Sequence, residues 1–369
     1  MKLCLIANPN SIHTKRWINY FSDRSIEFHL ISSASSNFIP PKGIHYFNPT
    51  RKMNIRKIRY FIWGYMAKEY INNIQPDLIH AHNAAAAAWI GTYSGFHPIL
   101  ITSHGSDLLL MDEKSMFYRM LTTWAIKNVD YFTCISEILE IKAVALGIDP
   151  NKIEVAKLGI NKQIFKRPAQ KSDLKMRLGF SNLPIITNLR PIQALYNPLA
   201  VASAINLLSD KGVMAQYLIF KYNSDHKLLN LFHQTLSSSS RDKVTYIEPL
   251  DNDELIAQYY QASDIAISVP RSEGAILPLS VQESMACGSV VINSELNTHK
   301  RWFPNKKSLY LIPDNEPATI CNAVMDLLNN DEKRVQIYDS AQITINKLAD
   351  WETCMKRYEE IYESLIQTA

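Results

Sequence analysis

The sequence holds no apolar run of the ~20 residues that a membrane-spanning helix needs; the longest candidates, Ala84 to Tyr93 and Leu108 to Met111, are short and interrupted. Residues Met1 to Ile6 lead straight into a strand-like segment and a polar turn, without the apolar stretch and small-residue cleavage site of a signal peptide. Both absences predict a cytosolic protein. The five cysteines, Cys4, Cys134, Cys287, Cys321 and Cys354, form no Cys-x-x-Cys pair, which argues against a zinc site or disulfide framework and for reduced, mostly buried thiols. The turn from Ala7 to Trp17 lacks Gly-x-Gly-x-x-Gly, which weakens a dinucleotide-enzyme reading. No short-period repeat is present; Ala84 to Ala88 reads as the start of a packed helix and Ser237 to Ser240 as a solvated loop.

What is there points to a two-domain α/β protein. A length of 369 residues with 47% hydrophobic content predicts two domains with separate cores. The net charge is +4, with the basic excess in the first half: 19 Lys and Arg stand against 12 Asp and Glu up to Lys166, and 20 against 23 after it. Strand-like runs at Lys2 to Ala7, Glu27 to Ile31, Asp77 to His80, Ile99 to Thr102 and Tyr131 to Ile135 alternate with helical patterns at Trp17 to Phe21, Ile55 to Ile74 and Met116 to Ile126. The rhythm restarts after Pro168, with strands at 184–188, 215–220, 243–246, 264–269 and 289–292 and helices at 197–208, 253–261, 282–286 and 317–330. Such alternation predicts two doubly wound, Rossmann-like halves, 1–166 and 167–350, with a hinge near Phe165 to Ser172. Trp351 to Gln367 is amphipathic at helical spacing, so 351–369 is a final helix expected to pack back towards the first domain. Open α/β sheets bind ligands outside the carboxyl ends of their strands, which places the site in a cleft.

Ser268 to Gly288 is the most informative stretch. It reads as a strand end, a loop with Glu273 beside Gly274 and Ala275, and a helix carrying Glu283. A loop feeding a helix N-terminus offers N–H groups to phosphate, and a carboxylate accepts paired bonds from sugar or ribose hydroxyls; without a ligand, both are a surface Glu and a helical Glu. Asn188-Leu189-Arg190-Pro191 puts a guanidinium after the first strand of the second half, and a guanidinium grips diphosphate oxygens bidentately. In the first half, Asp77-Leu78-Ile79-His80-Ala81-His82 and Thr102-Ser103-His104-Gly105-Ser106-Asp107 end two strands with polar residues.

These stretches resemble the retaining GT-B glycosyltransferases of the large family 4, over nearly the whole chain. The match rests on Glu283-Ser-Met-Ala-Cys-Gly, Arg190-Pro191 with Tyr196-Asn197, Val244 to Leu250, the two histidine-bearing strand ends, and Gly159-Ile160-Asn161. The resemblance implies that Glu283 holds the ribose hydroxyls of the donor and Glu273-Gly274 contacts its sugar and diphosphate. The family usually sets the two glutamates eight apart; here they are ten apart, so either the loop is longer or Glu273 is not the equivalent residue. Arg190 would neutralise diphosphate. The family's neighbouring Lys is replaced by Leu195 or Tyr196, which leaves Lys221 as the candidate second cation or as a solvated strand-end lysine. Tyr246, Glu248 and Ala275 join the donor set. His104 would lie near the transferred sugar. Ser11, His13, Lys15, His82 and Asp107 would form the acceptor side, His80 would be a buried strand residue, and Gly159 would let the backbone approach the ligand.

The implied activity is retaining transfer of a hexosyl or N-acetylhexosaminyl group from a UDP- or GDP-sugar to a saccharide or lipid-linked acceptor in cell-envelope polysaccharide assembly. A silent GT-B-fold binding protein and a sugar-nucleotide epimerase are the alternatives. No cofactor or metal is expected: Asp251-Asn252-Asp253 matches Asp-x-Asp, but Asp251 or Asn252 reads better as a helix N-cap. Arg51, Lys52, Arg56, Lys57, Arg59, Tyr60, Phe61, Trp63, Tyr65 and Lys68 suit docking on an anionic membrane surface, or a solvated helix face with aromatic residues inside. No nucleic-acid module is visible.

Overall fold

Short apolar runs become fully covered strands when helices lie on both faces of a parallel sheet. In the computed structural model, which describes residues 1–22, 24–32, 38–49, 59–275, 277–296 and 306–368, the chain forms two such sheets. The first contains β1 (Lys2–Ile6), β2 (Glu27–Ile31), β3 (Ile44–Phe47), β4 (Leu78–His82), β5 (Ile99–Ser103), β6 (Tyr131–Cys134) and β7 (Ile153–Val155). They are ordered β3-β2-β1-β4-β5-β6-β7, every pairing parallel. The second contains β8 (Ile185–Asn188), β9 (Gln216–Phe220), β10 (Val244–Ile247), β11 (Ile265–Ser268), β12 (Val290–Ser294) and β13 (Tyr310–Ile312), ordered β10-β9-β8-β11-β12-β13 and likewise parallel. In each sheet the winding reverses once, between β1 and β4 and between β8 and β11. Each reversal opens a crevice at the carboxyl ends of its own sheet's strands.

The chain divides into one unit of Met1–Leu158 with Thr353–Ala369 and another of Gly159–Glu352. The first crossing falls before Gly159, ahead of the 166/167 boundary that the polar hinge suggested, because Ile160 and Phe165 are buried in the second unit's core and Ile160 bridges Asp350. Gly159 is also corrected. A Cβ there would meet Ala349 O at 2.4 Å and the Asp350 carbonyl carbon at 2.6 Å, so its close approach is to the chain's own backbone. Gly159→Ala is expected to destabilise the protein by about 2–3 kcal/mol, since backbone cannot yield as a side-chain tip can. Urea unfolding checks this; a wild-type midpoint would refute the contact.

The helix Trp351–Thr368 packs on the first unit through buried Met355, Tyr358, Ile361 and Tyr362. Arg357 grips Glu154 with two bonds of 2.8 Å. Trp17 Nε1 donates to the Tyr362 hydroxyl at 2.8 Å, and that hydroxyl lies 2.6 Å from His80 Nδ1. All five cysteines are buried and free. Asn252, not Asp251, caps the helix Asp253–Ala262, its side chain accepting from Leu255 N at 2.8 Å. The serine tract is not a solvated loop: Ser238–Arg241 is a helical turn, and Ser240 is buried with its hydroxyl 2.9 Å from Ser237 Oγ. Among the described residues no helix is long and apolar enough to cross a membrane. The basic residues Arg51, Lys52, Arg56 and Lys57 lie outside the described residues; Trp63 is buried and Tyr65 exposed.

Candidate functional site

The first unit gathers three imidazoles at its switch point. The turn after β1 is tied by Ser11 N donating to Asn8 O and Asn10 N to Asn8 Oδ1, both 3.0 Å, and opens the helix Ile12–Ser22. His13 on the first turn of that helix stacks on His104, centroids 5.2 Å apart and 14° from parallel. His82, the last residue of β4, meets His104 edge-on at 5.3 Å and Trp17 at 4.7 Å. Ser11 and Lys15 flank this group on the same turn and helix. Among the described residues, neither ring nitrogen of His82 or of His104 has a hydrogen-bond partner. Buried polar atoms without a protein partner are uncommon, so these four nitrogens are candidates to bond water or a ligand at the switch point.

Asp107 has a different place from the one expected. Its Oδ2 accepts from Ala84 N at 2.7 Å, and its Oδ1 from Ser103 Oγ and Gly105 N at 2.9 Å. The carboxylate is spent on lashing the His104 loop to the segment after β4, and so positions His104. Gly105 at φ 127° supplies the backbone turn that side-chain-bearing residues rarely adopt.

His80 lies beneath this layer in a directed chain. Trp17 Nε1 donates to Tyr362, which leaves the tyrosine proton for His80 Nδ1; His80 Nε2–H then donates to Thr102 Oγ1 at 2.6 Å, and Thr102 lies 2.6 Å from Thr133 Oγ1. Protonating His80 would set two donors face to face. Burial lowers the pKa of His80 and His82 well below the ordinary value, and a proton on one of the neighbouring histidines would lower it further. Burial also lowers that of His104, against the pull of Asp107. All three are neutral in the fold, while the unfolded chain protonates them below about pH 6.5. Stability is therefore complete above pH 6.5 and is lost as pH falls below it, with a slope of about 1.4 kcal/mol per pH unit for each imidazole held neutral. Melting temperatures from pH 7.5 to 5.5 check this, and an unchanged value at pH 5.5 would contradict it.

In the second unit, Arg190 leaves β8 and its side chain is only 8% exposed. Its NH2 donates to Glu273 Oε2 at 2.7 Å, its NH1 to Ser280 Oγ at 3.4 Å, and its guanidinium lies 4.2 Å from the Tyr196 ring centre. Asn188 Nδ2 donates to Arg190 O at 2.8 Å, fixing the loop. Burial opposes the charge, but Glu273, Tyr196 and Tyr222 together outweigh it and hold the guanidinium pKa above its usual value. Ser280 stands on the first turn of the helix Leu279–Ala286, so the guanidinium and the positive end of a helix dipole converge. Glu273 Oε1 accepts from Gly274 N at 3.1 Å, and Ala275 follows on the loop; Ile276 lies outside the described residues. Glu283 is buried on the same helix. Lys221 is paired with Glu248, so its charge is already partnered. Tyr246 is on the edge strand β10, with β9 between it and β8, and its hydroxyl lies 3.2 Å from His233 Nδ1. Arg190, Glu273, Gly274 and Glu283 therefore share one loop-and-helix corner, while Lys221, Tyr246 and Glu248 belong to the outer strands.

Two family models match the chain: Glycosyl transferase 4-like over residues 2–136 and Glycosyl transferases group 1 over residues 204–344. The chain belongs to the GT-B glycosyltransferases of group 1. An uncharacterized glycosyltransferase of Methanocaldococcus jannaschii is 23% identical over 362 residues, covering 96% of this chain and 94% of that protein. The Escherichia coli UDP-Gal:alpha-D-GlcNAc-diphosphoundecaprenol alpha-1,3-galactosyltransferase is 24% identical over 330 residues, covering 87% and 83%. Among solved structures, Anabaena HepE in complex with UDP and glucose superposes with a TM-score of 0.79 at 15% identity, covering 99% of this chain and 100% of that one.

Sequence reasoning about this glycosyltransferase missed Ser280, Tyr222 and the role of Tyr196. Tyr196 was visible as part of the Tyr196-Asn197 match and as a replacement for lysine, not as the ring that stacks under Arg190. Tyr222 donates to Leu189 O at 3.1 Å, a contact that no spacing in the sequence encodes.

Proposed function

We propose that this glycosyltransferase takes a hexosyl group from a UDP-sugar, with retention at the anomeric carbon, and passes it to a lipid-linked saccharide in cell-envelope polysaccharide assembly. The observation that carries the donor reading is the buried Arg190 guanidinium beside the first turn of the Leu279–Ala286 helix, two positive features aimed at one place. A leaving diphosphate gains negative charge as the glycosidic bond breaks, and fixed positive groups stabilise that state more than the ground state. They supply this without a metal ion. In this reading Glu273 releases Arg190 to the diphosphate and turns to the sugar hydroxyls, and Glu283 accepts from the ribose. The neutral His104 imidazole then hydrogen-bonds the transferred sugar, with His82, His13, Ser11 and Lys15 on its acceptor side. The preference for uridine follows the names of the E. coli relative and the Anabaena complex.

The lipid-linked acceptor rests on that relative's name and on a helix face of the first unit. Met116, Phe117, Met120 and Trp124, spaced along Met116–Lys127, are 77%, 59%, 59% and 39% exposed. Lys114, Arg119 and Lys127 accompany them. Large apolar side chains among cations are the composition that enters an anionic bilayer interface.

Thermal melts against UDP-, GDP- and ADP-sugars test the donor reading, because a ligand selective for the folded state raises the melting temperature. UDP-hexoses are expected to give the largest shift. Glu283→Ala should weaken UDP binding by on the order of a hundredfold, since two charge-assisted hydrogen bonds disappear. Unchanged UDP affinity in that variant would sink the donor-site assignment.

A further inference from the structure

Away from the switch point, one edge of the first sheet gathers side chains of a different chemistry. β2 and β3 run parallel with His29 opposite His45, and Glu27, two residues before His29, shares its face of β2. Glu27, His29 and His45 each offer a ligand atom, and these atoms lie within 4.8 Å of one another. His29 Nε2 is 2.9 Å from Glu27 Oε1, and the His29 and His45 rings stack with centroids 4.6 Å apart at 15°.

His29 is 4% exposed, whereas Glu27 and His45 are open to solvent, so an ion has a route in and a rigid ligand waiting. The other nitrogen of His29, Nδ1, lies 2.9 Å from the hydroxyl of Tyr70 on the helix Arg59–Ile74. In the metal-free fold the His29 Nε2–H points at the Glu27 carboxylate, which can only accept; when a metal takes that place the ring proton moves to Nδ1, which donates to the Tyr70 hydroxyl and orients the ligating imidazole. Tyr70 is itself held by stacking on Phe47 of β3, centroids 4.2 Å apart. The nearby cation is Lys2, 3.7 Å from Glu27 Oε1, but its ammonium donates to Ile74 O at 2.6 Å, which anchors it to the helix end.

We propose that Glu27, His29 and His45 form a divalent transition-metal site, suited to Zn2+, that clasps β2 to the edge strand β3. Two imidazoles and a carboxylate are a borderline nitrogen and oxygen set that selects zinc-like ions over Mg2+ or Ca2+. Ligand bonds of about 2.0–2.1 Å in a tetrahedron set ligand atoms roughly 3.3 Å apart, so the Glu27 carboxylate must swing outward by a few tenths of an ångström and the exposed His45 ring must turn inward to close separations of up to 4.8 Å. Water completes the coordination. The ion is structural: it sits at the start and middle of β2 and ties down an edge strand, which has a sheet neighbour on one side alone.

The experiment uses the full chain without an affinity tag, stripped with chelator, then titrated with Zn2+ by calorimetry and with Co2+ by visible absorption. The wild type is expected to bind one equivalent of Zn2+ and melt at a higher temperature with it, and its Co2+ form to show d–d bands. His45→Ala and Glu27→Gln should each weaken Zn2+ binding by at least roughly tenfold and abolish the melting shift. Both variants should melt like the metal-free wild type and keep its transferase activity. No uptake by the wild type, or equal uptake by wild type and both variants, would overturn the site.

Discussion

Arg190→Ala is expected to lower kcat for sugar transfer by on the order of a thousandfold, the cost of removing a charged group that acts on a developing anion in a buried site. The variant also leaves the 13% exposed Glu273 carboxylate without its cation, so part of the loss could come from misfolding of the loop. Arg190→Lys separates the two effects. It keeps a charge for Glu273 but loses the planar fork that grips two oxygens and lies over the Tyr196 ring, so it should melt near the wild type and still transfer slowly. Equal turnover in wild type and Arg190→Ala would remove Arg190 from the mechanism.

The second large effect belongs to His104. His104→Ala should leave UDP affinity near the wild-type value and reduce kcat by on the order of a hundredfold, because the imidazole is proposed to meet the sugar and not the nucleotide. The neutral state of His104 adds a second readout. An ordinary histidine would give kcat/KM an inflection near pH 6.5, whereas burial moves that of His104 lower. Asp107→Asn gives a comparison: weakening the carboxylate that ties Ala84, Ser103 and Gly105 should disturb the His104 loop and lower the melting temperature along with turnover. A variant of His104 that lost UDP affinity and kept turnover of bound donor would reverse the assignment.

Much of the architecture was legible in the sequence. Runs such as Leu78 to His82 and Ile99 to Ser103 are buried on both faces, so adjacent apolar residues, Leu78-Ile79 and Ile99-Leu100-Ile101, mark them as strands despite their polar ends. The strands that went unrecognised, β3, β7 and β13, are edge strands of three or four residues. With a sheet neighbour on one side only they are less covered, and Ile153–Val155 is only half-buried along its length. The helices Glu137–Ala145, His226–Thr235 and Asp331–Lys347 were also unmarked, the last because just Ile337, Ala341 and Ile345 face inward.

For the site, the division is sharper. The sequence by itself determined that polar residues end the inner strands, that Arg190 follows the first strand of the second unit, and that Glu283 rides a helix after a glycine-bearing loop. Local chemistry decides these: strand periodicity, turn residues and helix patterning act over a few residues. Only the tertiary structure decided what each group faces. It stacked His13 on His104 across 91 positions of chain, joined Arg190 to Glu273, and spent Asp107 on the loop instead of the acceptor. It paired Lys221 with Glu248, brought Tyr362 to His80, and set His29 against His45. Strand order makes these meetings, and strand order is fixed by which apolar faces bury best together, a property of the whole chain that no local run of residues carries.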